Sequence, residues 1–167
     1  QAYLRDLFTA QRFAAANREE MLRRIISFIG KDPEEIIESV HNFIGTDNII
    51  RKGATPAHKG QKVIIPFNMR DGIAVCEGKG SEKYNYSAPH GAGRILSRVQ
   101  AKKQLSSDEF RQQMINAGIY TSTASKETLD EAPGAYKDMN LILDNIKETV
   151  EVIEMIKPIY NFKAGNE

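Results

Sequence analysis

The chain has 167 residues, of which 41% are hydrophobic and 27% are charged, and its formal net charge is +1. This composition excludes an intrinsically disordered chain and is typical of one globular domain or a large part of one. The near-zero net charge argues neither for nor against nucleic acid, so any basic patch must be local. A single cysteine, Cys76, excludes an intrachain disulfide and favours a reducing compartment.

No apolar run approaches the roughly 18 residues that a membrane-spanning helix needs, and no signal peptide is visible. We therefore predict a cytoplasmic protein without a membrane partner. The sequence begins with Gln1 rather than Met, already inside an apparent helix. That beginning suggests that the chain is part of a longer protein.

The chain opens with helical periodicity. Apolar residues at spacings of three and four predict one long amphipathic helix over residues 3–29, with Gly30 as its end. Asp32 is a suitable N-cap, Pro33 suits the first turn, and two glutamates follow near the positive end of the helix dipole. These residues predict a second, short helix over 32–38.

Short apolar runs replace the helical period between residues 39 and 80, and glycines and prolines separate them. This pattern predicts strands joined by tight turns, with Cys76 in the core. Beyond Gly93 the pattern predicts helices over 94–105, 107–118 and 140–156 and a final strand over 159–163. The predicted fold class is α+β, a strand-rich centre with flanking helices, and no linker divides residues 1–167 into two domains.

The segment Ser87–Arg94 carries the most chemical information. His90 lies between a proline and the run Gly91-Ala92-Gly93, and Arg94 and Arg98 follow four residues apart. A neutral imidazole offers a nitrogen lone pair, glycines let backbone N–H groups approach an anion, and arginines neutralise it. The glycine run is predicted to open a helix, which would form an anion site and place both arginines on one face. A simple turn histidine is the alternative, and the neighbours favour a phosphate-handling nucleophile.

The other candidates each have a structural and a functional interpretation. Lys52 lies in a solvated hairpin turn or contacts an anion, and Asn68 is a turn residue or bonds a ligand. His41 is a hydrogen-bonded structural residue or a metal ligand, although the chain is poor in further donors. Tyr136 packs at a helix start or stacks on a base, and Lys163 is expected to face solvent.

Several segments together resemble a known family. They are Val40–Phe43, Arg51–Ala54, Ile65–Met69, His90–Arg94 and Asp130–Lys137. In this order, they make the whole chain similar to the C-terminal part of an RtcB-type RNA ligase. Enzymes of that family depend on GTP and Mn²⁺ and act in tRNA splicing and RNA repair. The His-Gly-Ala-Gly-Arg block is the most specific of the matches.

The resemblance implies a mechanism in which the histidine matching His90 becomes guanylylated. Its ring nitrogen attacks the α-phosphate of GTP and releases pyrophosphate. GMP then passes to an RNA 3′-phosphate, which in related enzymes is first produced from a 2′,3′-cyclic phosphate. A 5′-hydroxyl finally displaces GMP and joins the RNA ends, so GTP and RNA with these ends are the implied partners.

The resemblance also implies roles for individual residues. His41 corresponds to a manganese ligand, Tyr136 packs near the guanine, and Lys163 bonds the guanine edge. The residues implied to contact GMP are Asn42, Pro66, Phe67, Asn68, Met69, Gly91, Ala92, Gly93, Tyr136 and Lys163. Those that correspond to phosphate or RNA contacts are Lys52, Arg94 and Arg98.

The chain departs from the family pattern in its nucleotide loop and in its metal ligands. The loop is often Pro-Gly-Ser-Met, whereas Pro66–Met69 reads Pro-Phe-Asn-Met, and Ile73 aligns with a serine that often contacts guanine. The family's other metal ligands lie upstream of Gln1, and Cys76 is not among them. We therefore expect the isolated chain to be inactive or nearly so, with the upstream half of the same polypeptide as its partner.

Two other functions are left open by the sequence. A non-catalytic nucleotide- or RNA-binding module would keep the pocket without the reaction. A purely structural domain would make His90, Arg94 and Arg98 incidental, and it predicts that His90 is buried and far from the arginines.

Overall fold

The computed structural model describes residues 2–162 and separates into two compact units, residues 1–37 and 38–167. The first unit holds helix α1 (Ala2–Ile29), which confirms the predicted opening helix. Glu20 stabilises α1 locally through ion pairs with Arg23 and Arg24, each 2.8 Å away. The assignment of residues 1–167 to one catalytic domain stays a prediction.

The prediction of a short helix over 32–38 is wrong, because residues 31–41 contain no helix. A helix of this length is unfavourable to nucleate without packing to support it. In addition, Glu38 would lie one helical turn from Glu34 and Glu35, where like charges repel. The favourable start signals therefore do not produce a helix.

The second unit contains short strands and helices. Its strands are β1 (Asn42–Ile44), β2 (Ile50–Lys52), β3 (Ala54–Pro56), β4 (Lys62–Asn68), β5 (Gly72–Gly78), β6 (Ser87–Pro89), β7 (Tyr120–Thr121), β8 (Val150–Ile156) and β9 (Tyr160–Asn161). Its helices are α2 (Arg98–Gln104), α3 (Ser107–Asn116) and α4 (Met139–Asn145), with 3₁₀ turns at Glu82–Tyr84, Lys126–Glu131 and Pro133–Ala135.

The strands form several small sheets rather than one large one. Strands β4, β5 and β8 make an antiparallel sheet with β5 in the centre. Antiparallel pairs join β1 to β2 and β3 to β6, and a parallel pair joins β7 to β9. This arrangement confirms the α+β class with a strand-rich centre.

The principal core lies on one face of the β4–β5–β8 sheet. Val63, Ile65 and Phe67 alternate inward along β4, as expected for a strand with one buried face. They pack in one cluster with Cys76 of β5 and Ile146, which follows α4. Cys76 is fully buried, and burial raises the pKa of its thiol to about 11, so the predicted core role is confirmed.

The predicted helix over 94–105 begins later than expected. Ser97 caps α2, accepting from the Gln100 amide while the Gln100 side chain accepts from the Ser97 amide, so the helix starts at Arg98. Arg94 instead forms an isolated antiparallel bridge with Tyr136. The next predicted helix, over 107–118, is confirmed as α3.

The predicted long helix over 140–156 is wrong in its second half. Helix α4 ends at Asn145, and residues 150–156 form β8, which pairs with β5. Valine and isoleucine recur through this segment, and their β-branched side chains favour a strand when a partner strand is available. The final strand is confirmed as β9, within the described residues.

The helices that the structure describes include none that is both long and apolar enough to cross a membrane. The cytoplasmic location stays a prediction.

Gly72 provides a test of how tightly the β4–β5 turn packs against β8. It has φ +83°, and a Cβ added there would lie 2.1 Å from the Ile156 carbonyl oxygen. Gly60 has φ +78°, but nothing lies within 4 Å of its added Cβ. Gly60→Ala should therefore lower the free energy of unfolding only through the strain of a left-handed backbone, by about 1–2 kcal/mol. Gly72→Ala adds a steric clash and should lower it by roughly 3 kcal/mol or more.

Urea denaturation of both glycine variants measures this difference. Equal losses in the free energy of unfolding would contradict the close approach of β8 to the turn.

Candidate functional site

A pocket of about 730 Å³ opens in the second unit between the β4–β5 turn, the segment after β6 and the 3₁₀ turns before α4. It brings together many residues that the sequence analysis named. These are Pro66, Phe67, Asn68, Met69, His90, Gly91, Ala92, Gly93, Arg94 and Tyr136. His90 and Arg94 line the same cavity, which argues against a purely structural domain.

His90 is held by a backbone carbonyl. Its Nδ1 lies 2.7 Å from the Gly53 oxygen. Because a carbonyl oxygen only accepts hydrogen bonds, Nδ1 must carry the proton and donate. In the neutral ring, Nε2 then keeps an unprotonated lone pair. The hydrogen bond therefore leaves Nε2 as the nitrogen with a free lone pair in the neutral ring.

Gly53 is itself fixed by two residues at the start of β1. Its N–H donates to the His41 carbonyl at 2.8 Å and to Asn42 Oδ1 at 3.1 Å. Its φ of +70° lies in the left-handed region that glycine adopts without strain. Asn42, expected to contact GMP, thus supports the carbonyl that holds His90, and Lys52 is exposed on β2 beside it.

The His41 ring stacks on the His90 ring, with centroids 4.4 Å apart and planes 16° apart. Desolvation by burial, followed by the electrostatic effect of His90, lowers the pKa of His41. Neutral imidazole is the form that binds metal ions. His41 is thus suited to the predicted ligand role, but no group of three or more His, Cys, Asp or Glu side chains converges among residues 2–162.

The glycine run after His90 does not open a helix, which corrects the prediction of an anion site at a helix start. Ala92 N–H instead donates to the Pro66 carbonyl at 3.1 Å. A Cβ on Gly91 would lie 2.9 Å from that same oxygen, so the close approach of two backbones requires glycine there. This contact joins the His90 segment to β4.

In the predicted nucleotide loop, the side chains of Phe67 and Asn68 contact other parts of the protein. Phe67 is buried in the principal core. Asn68 Oδ1 accepts from the amides of Arg70 and Asp71, and its Nδ2 donates to the Asp71 carboxylate at 2.7 Å. The Asn68 side chain thus makes the bonds of a turn residue.

Arg94 takes part in a compact polar cluster on the pocket wall. Its Nη2 donates to Glu131 Oε1 at 2.9 Å and to the Tyr136 hydroxyl at 2.8 Å, and its Nη1 donates to the Asp130 carbonyl. The Tyr136 hydroxyl donates to Glu131 Oε2 at 2.7 Å, and the guanidinium lies 4.7 Å from the Tyr136 ring centroid. Burial, and then the hydrogen bond to Glu131, raise the pKa of Tyr136.

The prediction that Arg94 and Arg98 share one helix face is wrong, because Arg94 precedes α2. Arg98 lies in the first turn of α2, 3.7 Å from the Asp130 carboxylate. Both arginines thus contact the acidic turn at 130–131, Arg94 as a half-buried side chain and Arg98 as an exposed one. Their phosphate or RNA role stays a prediction, and so does the guanine contact of Lys163, which lies outside the described residues.

Sequence reasoning missed three features of the site. Gly53 is separated from His90 by 37 residues, and Glu131 is separated from Arg94 by 37. Asn161 also lines the pocket, and its Nδ2 donates to the Met69 carbonyl at 2.8 Å. The sequence did offer a signal for two of these residues. Gly53 follows the basic pair Arg51-Lys52, and Glu131 belongs to an acidic pair shortly before Tyr136.

Comparison with known proteins finds one family whose model, described as tRNA-splicing ligase RtcB, matches residues 1–164. The RNA-splicing ligase RtcB of Escherichia coli (strain K12) is 30% identical over 97% of this chain and 43% of its own length. The tRNA-splicing ligase RtcB of Pyrococcus horikoshii is 32% identical over 95% of the chain and 23% of its own length. The chain therefore spans less than half the length of these relatives.

The tautomer of His90 is a direct consequence of its bond to Gly53. Heteronuclear NMR of the imidazole nitrogens should show His90 protonated at Nδ1 and unprotonated at Nε2 at a pH where the ring is neutral. His58 serves as an internal reference, because its Nε2 lies 3.4 Å from an Asp47 carboxylate oxygen and should carry the proton. A neutral His90 protonated at Nε2 would contradict the proposed orientation.

Proposed function

The chain belongs to the RtcB family, and from that premise we propose that it carries the nucleophile of a GTP-dependent RNA ligase. The ligase would join RNA 3′-phosphate or 2′,3′-cyclic phosphate ends to 5′-hydroxyl ends through a histidine–GMP intermediate. One observation carries this proposal: the Gly53 carbonyl holds Nδ1–H of His90, so that Nε2 is the nucleophilic nitrogen in a pocket large enough for a nucleotide.

The first step is attack of His90 Nε2 on the α-phosphorus of GTP. A nitrogen–phosphorus bond forms, the bond from that phosphorus to the bridging oxygen breaks, and pyrophosphate leaves with the electron pair. The imidazole ring gains positive charge while Nδ1–H continues to donate to Gly53. The carbonyl dipole therefore stabilises the ring most strongly when the bond is forming.

The second step transfers GMP to RNA. An oxygen of the RNA 3′-phosphate attacks the phosphorus of the adduct, and the bond to Nε2 breaks to regenerate neutral His90. The RNA 5′-hydroxyl then attacks the activated 3′-phosphate, loses its proton to solvent or a base, and releases GMP. The RNA ends are joined by the new phosphodiester.

Manganese is proposed as a cofactor, with His41 as one ligand. The described residues do not form a complete manganese site, because His41 has no two further donors beside it within residues 2–162. We therefore derive no step through the metal. A bound divalent ion would supply charge neutralisation for the phosphates.

The remaining partners are proposed on the same basis. The relatives are more than twice as long as the part this chain matches. We propose that the upstream half of the same polypeptide completes the enzyme and that the chain alone is inactive or nearly so. The proposed setting is tRNA splicing or RNA repair in the cytoplasm.

A second candidate is a nucleotide- or RNA-binding module that does not react. The small number of converging metal donors among the described residues favours it for the chain taken alone. Covalent labelling distinguishes the two functions.

The complete natural polypeptide should form a covalent, acid-labile adduct when incubated with Mn²⁺ and GTP radiolabelled at the α-phosphate. His90→Ala should abolish the label, because it removes the attacking nitrogen. His58→Ala is the matched control, since its ring lies outside the pocket lining, and it should label like the wild type.

Denaturing gel electrophoresis with autoradiography measures the adduct. A label that survives His90→Ala would overturn the assignment of the nucleophile. An unlabelled wild-type protein that still binds GTP would favour the binding module.

A further inference from the structure

The polar side chains on the pocket wall differ in how much hydrogen-bonding capacity they have left. Asn68 is engaged by its own turn, and Arg94 and Tyr136 bond to Glu131 and to each other. His90 keeps Nε2 for the proposed chemistry. Asn161 is the remaining polar side chain of the lining, and its capacity is only partly used.

The orientation of the Asn161 amide is fixed by its bond to Met69. Nδ2 donates to the Met69 carbonyl, and because that oxygen cannot donate, Oδ1 must point the other way. No donor within residues 2–162 bonds to Oδ1. Parallel pairing with Thr121 fixes the backbone of Asn161 in β9. The side-chain amide of Asn161 thus lines the pocket with its orientation fixed, and its Oδ1 has no hydrogen-bond donor among the described residues.

Asn161 and the His90 segment contact different residues of the chain around the end of β4. Ala92 of the His90 segment donates to the Pro66 carbonyl, whereas Asn161 donates to the Met69 carbonyl three residues further along. At about 3.3 Å per residue, that spacing corresponds to up to roughly 10 Å of extended chain. That length is comparable to the distance from the α-phosphate to the far edge of the base in a nucleotide.

We propose that Asn161 determines the base specificity of this pocket, with Oδ1 accepting a hydrogen bond from N1–H of guanine. This inference rests on the proposed function, which places the α-phosphate at His90. Ile73, Ile156 and Pro158 would cover the flat faces of the base. Adenine has a lone pair at N1, so Oδ1 would face it without a hydrogen and disfavour AMP.

Isothermal titration calorimetry with GMP, IMP and AMP tests this role in the complete natural polypeptide, because none of these monophosphates can form the adduct. The wild type should prefer GMP to AMP and should bind IMP within about threefold of GMP, because inosine keeps N1–H. Asn161→Leu should reduce the GMP-to-AMP preference roughly tenfold, chiefly through weaker GMP binding. Asn161→Asp keeps an acceptor and should retain the preference even if both nucleotides bind more weakly.

The control is Asn145→Leu. Asn145 also donates its Nδ2 to a backbone carbonyl, that of Leu141 at 2.7 Å, but it does not line the pocket. This variant should leave the GMP-to-AMP preference unchanged. It therefore separates loss of an amide–carbonyl bond from loss of base recognition.

The outcomes distinguish this inference from the proposed function. An unchanged preference in Asn161→Leu, or IMP binding as weak as that of AMP, overturns the inference even if the wild type forms the His90 adduct. A wild type that binds no nucleotide overturns both. If Asn161→Leu does not fold, loss of the preference in a folded Asn161→Asp overturns the inference.

Discussion

The hydrogen bond from His90 Nδ1 to the Gly53 carbonyl is the constraint on which the proposed chemistry of the pocket depends. The antiparallel register of β3 and β6 pairs Ala54 with Pro89, so Gly53 lies opposite His90. Gly53 is held in turn through its amide by the His41 carbonyl and the Asn42 side chain. A shift in this register would move the carbonyl away from the ring, and the tautomer that exposes the Nε2 lone pair would lose its support.

The same pocket has little positive charge of its own. Arg94 is the cationic side chain among its described lining residues, and its charge is paired with Glu131. A bound triphosphate would therefore need further neutralisation from a metal ion or from other parts of the polypeptide. Under the proposed function, the pocket would thus provide the nucleophile and the walls for a base, whereas most of the charge for the phosphates would come from elsewhere.

The sequence predicts those parts of the site that are formed by residues close together in the chain. The segment around His90 was identified from residue types within one short run, and the α+β class followed from the change in apolar period after residue 39. The failures arose where distant contacts decide the structure. Residues 150–156 have helical spacing but form β8, because β5 offers a pairing partner and their β-branched residues suit a strand. Glu131 and Asn161 reach the pocket only through the fold; an acidic pair before Tyr136 hints at Glu131, but no local pattern marks Asn161.

Tandem mass spectrometry of the protein after reaction with GTP tests the central claim most directly, because it locates the modified atom in the sequence. The fragment ions should place GMP on His90, under neutral conditions that preserve a nitrogen–phosphorus bond. GMP on a nearby lysine, such as Lys52 beside Gly53 or Lys137 against Gly93, would contradict the claim that the Gly53 carbonyl prepares His90 as the nucleophile.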